Sequence, residues 1–175
     1  MFVITGGPGS GKTSLCAALA AQGISIAAES GRGIILAQQA KGGRALPWVD
    51  PQAFAAAVFA RDEERYAAAL LQPGVTLFDR GFPDNAAYLT ILGLPVPAAL
   101  ESACRQKRFA EPVFIAPPWK EIFTQDSERK QDWAEAVRTY DAMVAGYQRY
   151  GYTLVEVPRL SVCDRADFIL DVMRR

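Results

Sequence analysis

The chain has 175 residues, of which 50% are hydrophobic and 22% are charged, a composition typical of a globular protein with a substantial core. Its 19 basic and 19 acidic residues give a formal net charge of zero, which argues against a nucleic-acid partner. The absence of histidine excludes His-dependent triads and His-ligated zinc, and no apolar run approaches the roughly 18 residues of a membrane span.

The chain opens with a predicted β-strand and a glycine-rich loop. The apolar stretch Phe2–Thr5 predicts the strand, and the sequence GGPGSGKT at residues 6–13 fits the P-loop pattern G-x-x-x-x-G-K-[ST] at every fixed position. A helical pattern from Ser14 to Ala21 follows directly. Loop N–H groups and the helix N-terminus would bind phosphate there. A glycine-rich turn before an unrelated helix is the alternative, but the strand–loop–helix order favours a nucleoside triphosphate site.

We expect this loop to bind ATP together with Mg²⁺. Lys12 would reach the β- and γ-phosphates, and the Thr13 hydroxyl would hold the metal. The predicted nucleotide contacts are Gly7, Pro8, Gly9, Ser10, Gly11, Lys12, Thr13 and Ser14. The first residues are predicted to form a strand, which argues against a signal peptide. The three cysteines are isolated, odd in number and without metal-ligand spacing, which indicates free thiols in a reducing compartment. We therefore expect a cytoplasmic location.

Glu29 follows the second strand candidate, Ser25–Ala28. If this strand is parallel to the first, Glu29 emerges at the same edge of the sheet as the P-loop, where ligands bind in such sheets. The carboxylate could accept a proton from an acceptor hydroxyl, although phosphoryl transfer depends mostly on positioning. The alternative is that Glu29 caps a helix.

A long helix is predicted after the turn-rich segment 41–48. Asp50 is an N-cap residue and Pro51 suits the first helical position, which opens a helix from Gln52 to Leu71. The apolar part of this helix is interrupted by the charged sequence RDEER at residues 61–65.

Asp79 and Arg80 follow the third strand candidate, Val75–Phe78. A carboxylate at this end of a buried strand can reach the Mg²⁺ near Thr13, and the neighbouring guanidinium can clamp phosphate. A turn or N-cap aspartate and a local ion pair on a solvated loop are the alternatives. Asp84 is expected to cap a helix over residues 85–92, with a substrate contact as the second possibility.

The segment from Pro117 to Lys130 is predicted to be a lid. It follows the fourth strand candidate, Val113–Ala116, and contains cations of which Arg129 is the best candidate to close onto the phosphates. A solvated helix start is the alternative. A helix over residues 131–150, a strand over 153–157 and a helix from a capping box at Ser161 to Met173 complete the chain.

Two interpretations are open for the stretch Pro158-Arg159-Leu160: it borders the purine of a bound nucleotide, or it is an ordinary connection. The three tryptophans can stack on a base or ring, but packing in the core or in a loop is the simpler interpretation for Trp48, Trp119 and Trp133.

Apolar strands alternate with helices throughout the chain, which predicts an α/β domain with a mainly parallel five-stranded sheet. Several strands are continuously apolar, as expected where helices cover both faces of a sheet. No linker or internal repeat divides the sequence, so we predict a single domain over residues 1–175.

Five motifs resemble those of small P-loop proteins often labelled AAA-family ATPases: GGPGSGKT, AAESGRGI, the LPW-DP stretch, FDRGFPD and PPW, in this order along the chain. That group is similar to the ribosylnicotinamide kinase domain and, more distantly, to nucleoside and nucleotide kinases. The resemblance implies a three-layer fold with strand order 2-3-1-4-5, an acceptor-binding helical region near residues 30–72 and a lid near 117–130. It also implies that Glu29 serves as base or acceptor contact and that Asp79 and Arg80 serve metal and phosphate.

The sequence thus favours a kinase that moves the γ-phosphate of ATP to a small-molecule acceptor, such as a nucleoside, a nucleotide or a related metabolite. The alternative is a regulatory NTPase switch that acts on a protein or lipid partner. The short chain argues against an AAA+ motor with an additional helical domain, and no N-K-x-D guanine-reading motif is present. The acceptor, the choice between ATP and GTP, and the oligomeric state are not predicted.

Overall fold

The computed structural model describes residues 1–123 and 132–174. These residues form a five-stranded sheet in which every neighbouring pair is parallel and the order is β2-β3-β1-β4-β5. The strands are β1 (Phe2–Gly6), β2 (Ser25–Ala27), β3 (Thr76–Asp79), β4 (Val113–Ala116) and β5 (Leu154–Glu156). The predicted fold class and strand order are confirmed.

Seven helices in the described residues connect and cover these strands: α1 (Lys12–Ala21), α2 (Ser30–Ala40), α3 (Pro51–Leu70), α4 (Phe82–Ile91), α5 (Ala98–Gln106), α6 (Trp133–Arg149) and α7 (Val162–Met173). The capping predictions for α3 and α7 are confirmed, because Asp50 accepts from the N–H of Ala53 and Ser161 from that of Asp164.

The start of α4 corrects the sequence analysis. The helix begins at Phe82, three residues before the predicted start, and Pro83 lies in its first turn. Proline is compatible with that position, because the first N–H groups of a helix have no partner within the helix.

The core has two large parts, one on each face of the sheet. Val3 and Phe78 pack into the part that contains Phe82 and Tyr147 of α4 and α6. Their chain neighbours in β1 and β3, Ile4 and Leu77, pack into the part that contains residues of α1 and α7. Successive residues of a strand point to opposite faces, so apolar runs such as these require helices on both sides. The result is a three-layer arrangement with the carboxyl ends of all five strands at one edge.

Among the helices of the described segments, none combines the length and the apolar character needed to cross a membrane.

Candidate functional site

The P-loop connects β1 to α1 and depends on two glycines in the left-handed region. Gly9 has a φ of 70° and Gly11 a φ of 77°, values that side-chain-bearing residues rarely adopt. A Cβ atom on Gly9 would lie 2.5 Å from a ring carbon of Phe123, and one on Gly11 would lie 2.8 Å from Nη1 of Arg165. The left-handed backbone therefore favours glycine at both positions, and at Gly9 the ring of Phe123 also leaves no room for a side chain.

Lys12 is the first residue of α1 and is only 5% exposed. Its Nζ donates to the carbonyl oxygens of Gly6 at 3.0 Å and Gly7 at 2.8 Å, and to Oγ of Ser10 at 3.3 Å. The ammonium group is thus folded onto the loop at the positive end of a helix. Charge, loop and helix terminus together make a site for an anion.

Asp79 ends β3 beside β1, where its Cα is paired with that of Ile4. The side chain is buried, and Oδ1 has no hydrogen-bond partner among the described residues. Burial raises the pKa of this carboxyl, while the charge of Lys12 opposes the rise. An unpartnered buried carboxylate oxygen close to a P-loop fits a bound cation.

Mg²⁺ would be shared between the protein and the phosphates. Thr13 lies exposed in the first turn of α1, on the same cavity wall as Asp79. Within residues 1–123 and 132–174, no group of three or more Cys, Asp or Glu residues is arranged to hold a metal by itself. Mg²⁺ prefers oxygen ligands and usually combines one or two protein groups with substrate phosphates and water, which matches this donor set.

A cavity of about 410 Å³ lies over the P-loop and is called the P-loop cavity below. Its wall includes residues 8–14, so seven of the eight predicted nucleotide contacts lie on it. The eighth, Gly7, is buried behind the wall, where a Cβ atom would lie 2.5 Å from the carbonyl oxygen of Ala136 in α6. Glu29, Asp79, Ser161 and Arg165 also belong to the polar part of the wall.

The segments after β4 and β5 form the apolar part of the P-loop cavity. Trp119 and Phe123 follow β4, and Leu160 and Val162 follow β5. Leu160 belongs to the stretch 158–160 that was predicted either to border the purine or to be an ordinary connection, and it lies on the wall of this cavity. In the same stretch, Nε of Arg159 donates to the carbonyl oxygen of Pro118 at 3.2 Å.

The other two tryptophans lie elsewhere. Trp48 is 60% exposed and does not line the P-loop cavity. Trp133 packs edge to face against Phe123, with ring centroids 5.6 Å apart.

Arg165 in α7 is a residue of the site that the sequence analysis missed. It is 1% exposed, its Nη2 donates to the carbonyl oxygen of Ser10 at 3.0 Å, and its guanidinium lies 5.7 Å from the ring centroid of Trp119. Burial lowers its pKa. Its position in the sequence could have indicated a place in the site. Arg165 lies in the first turn of a helix that follows a parallel strand, and such turns lie at the carboxyl edge of the sheet.

Arg80 joins Glu29 to the start of α4. Its Nε lies 3.1 Å from Oε1 of Glu29, and its Nη1 lies 2.9 Å from Oδ1 of Asp84. Burial disfavours the charged guanidinium, but the carboxylates of Glu29 and Asp84 outweigh that effect and raise the pKa of Arg80. With a side chain that is 20% exposed, Arg80 is held in ion pairs inside the site and not on a solvated loop.

The backbone of Arg80 is also unusual, with a φ of 70°. A left-handed conformation costs a non-glycine residue on the order of 1–2 kcal/mol. The two ion pairs and the hydrogen bond from the N–H of Arg80 to the carbonyl oxygen of Ile4, at 2.9 Å, hold it in place. The chain therefore turns sharply after Asp79, which directs Asp79 and Arg80 to different parts of the site.

Asp84 is fully hydrogen-bonded by groups from three parts of the fold. Oδ1 accepts from Oγ1 of Thr5 at 2.5 Å and from Arg80, and Oδ2 accepts from the N–H of Gly81 at 2.9 Å and the hydroxyl of Tyr147 at 2.6 Å. Asp84 was predicted to cap a helix over residues 85–92, but the helix begins at Phe82 with Gly81 as its N-cap, so Asp84 lies inside the first turn and its carboxylate accepts from the N–H of Gly81. Four hydrogen bonds at a buried carboxylate make Asp84 a junction between β1, α4 and α6.

A second cavity of about 490 Å³, called the helical cavity below, lies among α2, α3, α4 and α6. Trp48, Phe54 and Tyr88 are on its wall. Pro8 and Glu29 line both cavities, so the two spaces adjoin at these residues.

Ser30, Asp62 and Arg65 form a buried network on α2 and α3, and the first two line the helical cavity. The hydroxyl of Ser30 donates to Oδ1 of Asp62 at 2.5 Å and accepts from Nη1 of Arg65 at 2.6 Å. Burial raises the pKa of Asp62 to about 6, against the opposing effects of Ser30 and Arg65. Residues 61–65 were predicted only as a charged interruption of an apolar helix, because periodicity does not show which charges face inward.

A family model described as an AAA domain matches residues 1–165. The chain therefore belongs to this AAA domain family. The family resemblance inferred from the motifs is confirmed. No curated protein matches the sequence.

Solved structures of P-loop kinases share the fold of this AAA domain. Thymidylate kinase from Ehrlichia chaffeensis is 15% identical with a TM-score of 0.65, over 99% of this chain and 98% of that one. Shikimate kinase from Acinetobacter baumannii in complex with shikimate is 15% identical with a TM-score of 0.57, over 99% and 92% of the two chains. Deoxyadenosine kinase from M. mycoides with bound dCTP has the same identity and TM-score, over 99% of each chain.

The described part of the AAA domain brings most predicted site residues together. Lys12, Thr13, Glu29 and Asp79 share the P-loop cavity, and Arg80 contacts Glu29 from the side of the helical cavity. Arg129, predicted as the lid cation, lies outside the described residues, as does Lys130.

Proposed function

We propose that this AAA domain protein is a phosphotransferase that moves the γ-phosphate of ATP to a small-molecule acceptor, such as a nucleoside, a nucleotide or a related metabolite. The observation that carries the proposal is the meeting of the two cavities at Glu29. One cavity has the loop, the lysine and the carboxylate that a triphosphate with Mg²⁺ requires, and the other has the size of a small-molecule site.

The residues of the P-loop cavity would hold the triphosphate. The loop N–H groups and Lys12 would bind the phosphates, with the ammonium moving from its present acceptors Gly6, Gly7 and Ser10 onto phosphate oxygens. Thr13 and Asp79 would hold Mg²⁺, which neutralises charge on the phosphates when bound. A lid over residues 117–130, with Arg129, would close this cavity.

Glu29 would orient the acceptor hydroxyl and receive its proton. The acceptor oxygen then forms a bond to the γ-phosphorus while the bond from that phosphorus to the bridging oxygen of ADP breaks. Arg80 fixes the orientation of Glu29 through the contact at 3.1 Å. Because phosphoryl transfer depends mainly on positioning and charge, this orientation matters more than the strength of the base. The helical region near residues 30–72 would supply the acceptor site.

The test is a coupled ADP-release assay across nucleosides, nucleoside monophosphates, ribosylnicotinamide and other small alcohols. Lys12→Ala serves as the blank, and Arg105→Ala, which removes an exposed cation of α5, serves as the matched control. Stimulation by one acceptor in the native protein and the control, but not in the blank, supports the proposal. Slow hydrolysis that no acceptor stimulates would refute it and favour a nucleotide-dependent switch, whose partner affinity should differ between ATP and ADP.

A further inference from the structure

The wall of the helical cavity is mainly apolar and aromatic. Phe54 of α3 and Tyr88 of α4 meet edge to face on this wall, with ring centroids 5.7 Å apart. Trp48 adds a third aromatic ring, and Ile35 and Met143 add aliphatic surface. Such a wall favours a ligand with a planar or hydrocarbon ring, because aromatic faces and edges supply most of its contact area.

The charged groups on this wall are unequal in number. Among the described residues, the carboxylates are those of Glu29, Asp62, Asp84 and Glu135, and the guanidinium groups are those of Arg80 and Arg138. The described wall therefore carries a formal excess of two negative charges. Asp62 and Asp84 are buried, and the side chains of Glu29 and Arg80 are only 23% and 20% exposed, so their charges are screened less than charges on the surface.

Arg80, a cation of this wall that contacts Glu29, has a second carboxylate partner as well. Arg80 donates through Nε to Glu29 and through Nη1 to Asp84. Sites for phosphate or carboxylate ligands usually offer a guanidinium fork that can make two parallel hydrogen bonds to the anion. Here Nε and Nη1 each contact a carboxylate of the protein, so an anionic ligand at Arg80 would lie close to two negative charges. The other guanidinium of the described wall, Arg138, is exposed, and solvent screens its charge.

Tyr88, on the same wall, carries a buried hydroxyl group. Oη of Tyr88 is buried and has no partner within residues 1–123 and 132–174, although Tyr88 lines the helical cavity. A buried polar group without a partner is destabilising, so a ligand that draws this hydroxyl towards the cavity by a small rotation of the ring would supply a hydrogen bond without competing with a described protein group.

We propose that the helical cavity selects an uncharged or cationic acceptor built on a planar ring and rejects acceptors that carry a phosphate or a carboxylate, with Tyr88 and Asp62 as specificity-determining residues. This inference rests on the proposed function, since it names the class of molecule that would receive the phosphate. It separates nucleoside-like acceptors from nucleotide-like ones by the charge of the wall.

The experiment uses matched ligands that differ in charge. Adenosine, cytidine and thymidine are compared with their 5′-monophosphates, and 1-methyladenosine supplies a cationic ring. Binding is measured by calorimetry with the P-loop cavity saturated by Mg²⁺ and a non-hydrolysable ATP analogue, and ADP release is measured in parallel with MgATP. We expect at least one uncharged or cationic ligand to bind about tenfold or more tightly than the corresponding monophosphate.

The two readouts separate the inference from the proposed function. Binding of an uncharged or cationic ring without ADP release would refute the phosphotransferase and leave the selectivity standing. Monophosphates that bind equally well or better would overturn the selectivity, whether or not ADP is released. Failure of every uncharged and cationic ring to bind would overturn it as well.

Two variants test the residues. Tyr88→Phe should weaken binding of the best ligand about fivefold without lowering the melting temperature, because the hydroxyl removed has no hydrogen-bond partner in the part of the chain that the structure describes. Tyr140→Phe is the matched control, since its hydroxyl donates to Glu156 and it does not line the helical cavity. Asp62→Asn should narrow the preference for uncharged or cationic ligands over monophosphates. Unchanged affinity in Tyr88→Phe, or unchanged preference in Asp62→Asn, would remove that residue from the proposal.

Discussion

The P-loop cavity and the helical cavity are built in different ways. Residues 8–14, consecutive in the chain, supply much of the first wall. Under the proposed function, their backbone N–H groups and the helix N-terminus bind the phosphates. Side chains of α2, α3, α4 and α6, which are far apart in the chain, supply most of the wall of the helical cavity. Phosphate is the same in every nucleotide, so a fixed backbone suffices to bind it, whereas an acceptor has to be distinguished by side chains. Changes in one cavity should therefore leave ligand binding in the other largely intact.

Lys12→Ala should produce the largest difference between the effects on the two cavities. Loss of the ammonium removes charge that would neutralise the transition state, and phosphoryl transfer should fall about 100-fold or more. Acceptor binding in the helical cavity should stay within about twofold of the native value, since Lys12 does not line it. Initial rates of ADP release and calorimetric titration of the acceptor measure the two effects. Near-normal turnover would overturn the assignment of Lys12.

Asp62→Asn should reveal a pH dependence of stability that belongs to the helical cavity. The pKa of Asp62 in the fold, about 6, lies above its ordinary value of 3.8, so the native state binds the proton more tightly than the unfolded chain does. Its contribution to the free energy of unfolding therefore increases as the pH falls from 7 through 6 towards 4. Asn cannot take up this proton. The native protein should gain on the order of 2 kcal/mol over the variant across that range.

Urea unfolding of both proteins at several pH values from 4.5 to 7 measures this difference. Ser30, Arg65, Glu29 and Asp84, which influence Asp62 in the native protein, are present in both proteins, so the effects of their own titration are largely subtracted. Stability curves that run parallel with pH would show that Asp62 does not take up the proton in this range.

Asp79→Asn should act on the P-loop cavity through its metal requirement. If the unpartnered Oδ1 of Asp79 holds Mg²⁺, the concentration of Mg²⁺ for half-maximal ADP release should rise about tenfold. Asp171→Asn, a change at an exposed position of α7, is the control. Coincident magnesium titrations for all three proteins would exclude Asp79 from the metal site.

Glu29→Gln tests the role of a carboxylate that lines both cavities. We expect a loss of about fivefold in turnover with little change in ATP affinity, because the group orients the acceptor and phosphoryl transfer gains little from a base. Glu64→Gln changes a glutamate that is 76% exposed and provides the comparison. A large loss of ATP affinity with unchanged turnover would place Glu29 with the nucleotide instead.

The elements that depend on local sequence could be predicted. The apolar strands, the Asp50-Pro51 helix start and the P-loop are encoded by neighbouring residues, and the structure places them close to the predicted bounds. Glu29 and Asp79 then lie next to the P-loop, because the carboxyl ends of parallel strands meet at the same edge of the sheet.

The contacts between distant segments could not be predicted in this way. Arg165 reaches Ser10 across 155 positions of the chain, and Asp84 meets Tyr147 across 63. Arg65 and Asp62 face Ser30, while Glu64 on the same helix faces solvent, a distinction that depends on how α2 lies against α3. Packing decides these pairs, and a single sequence does not reveal it.

The shared wall at Pro8 and Glu29 has a consequence for the order of events. Two occupied compartments that touch at one carboxylate allow donor and acceptor to be present together, so the phosphoryl group would pass directly between them and no phosphorylated form of the protein would be needed. Double-reciprocal plots would then intersect, as in a sequential mechanism. A single compound in which an acceptor is tethered to the terminal phosphate of a nucleotide would fill both compartments at once.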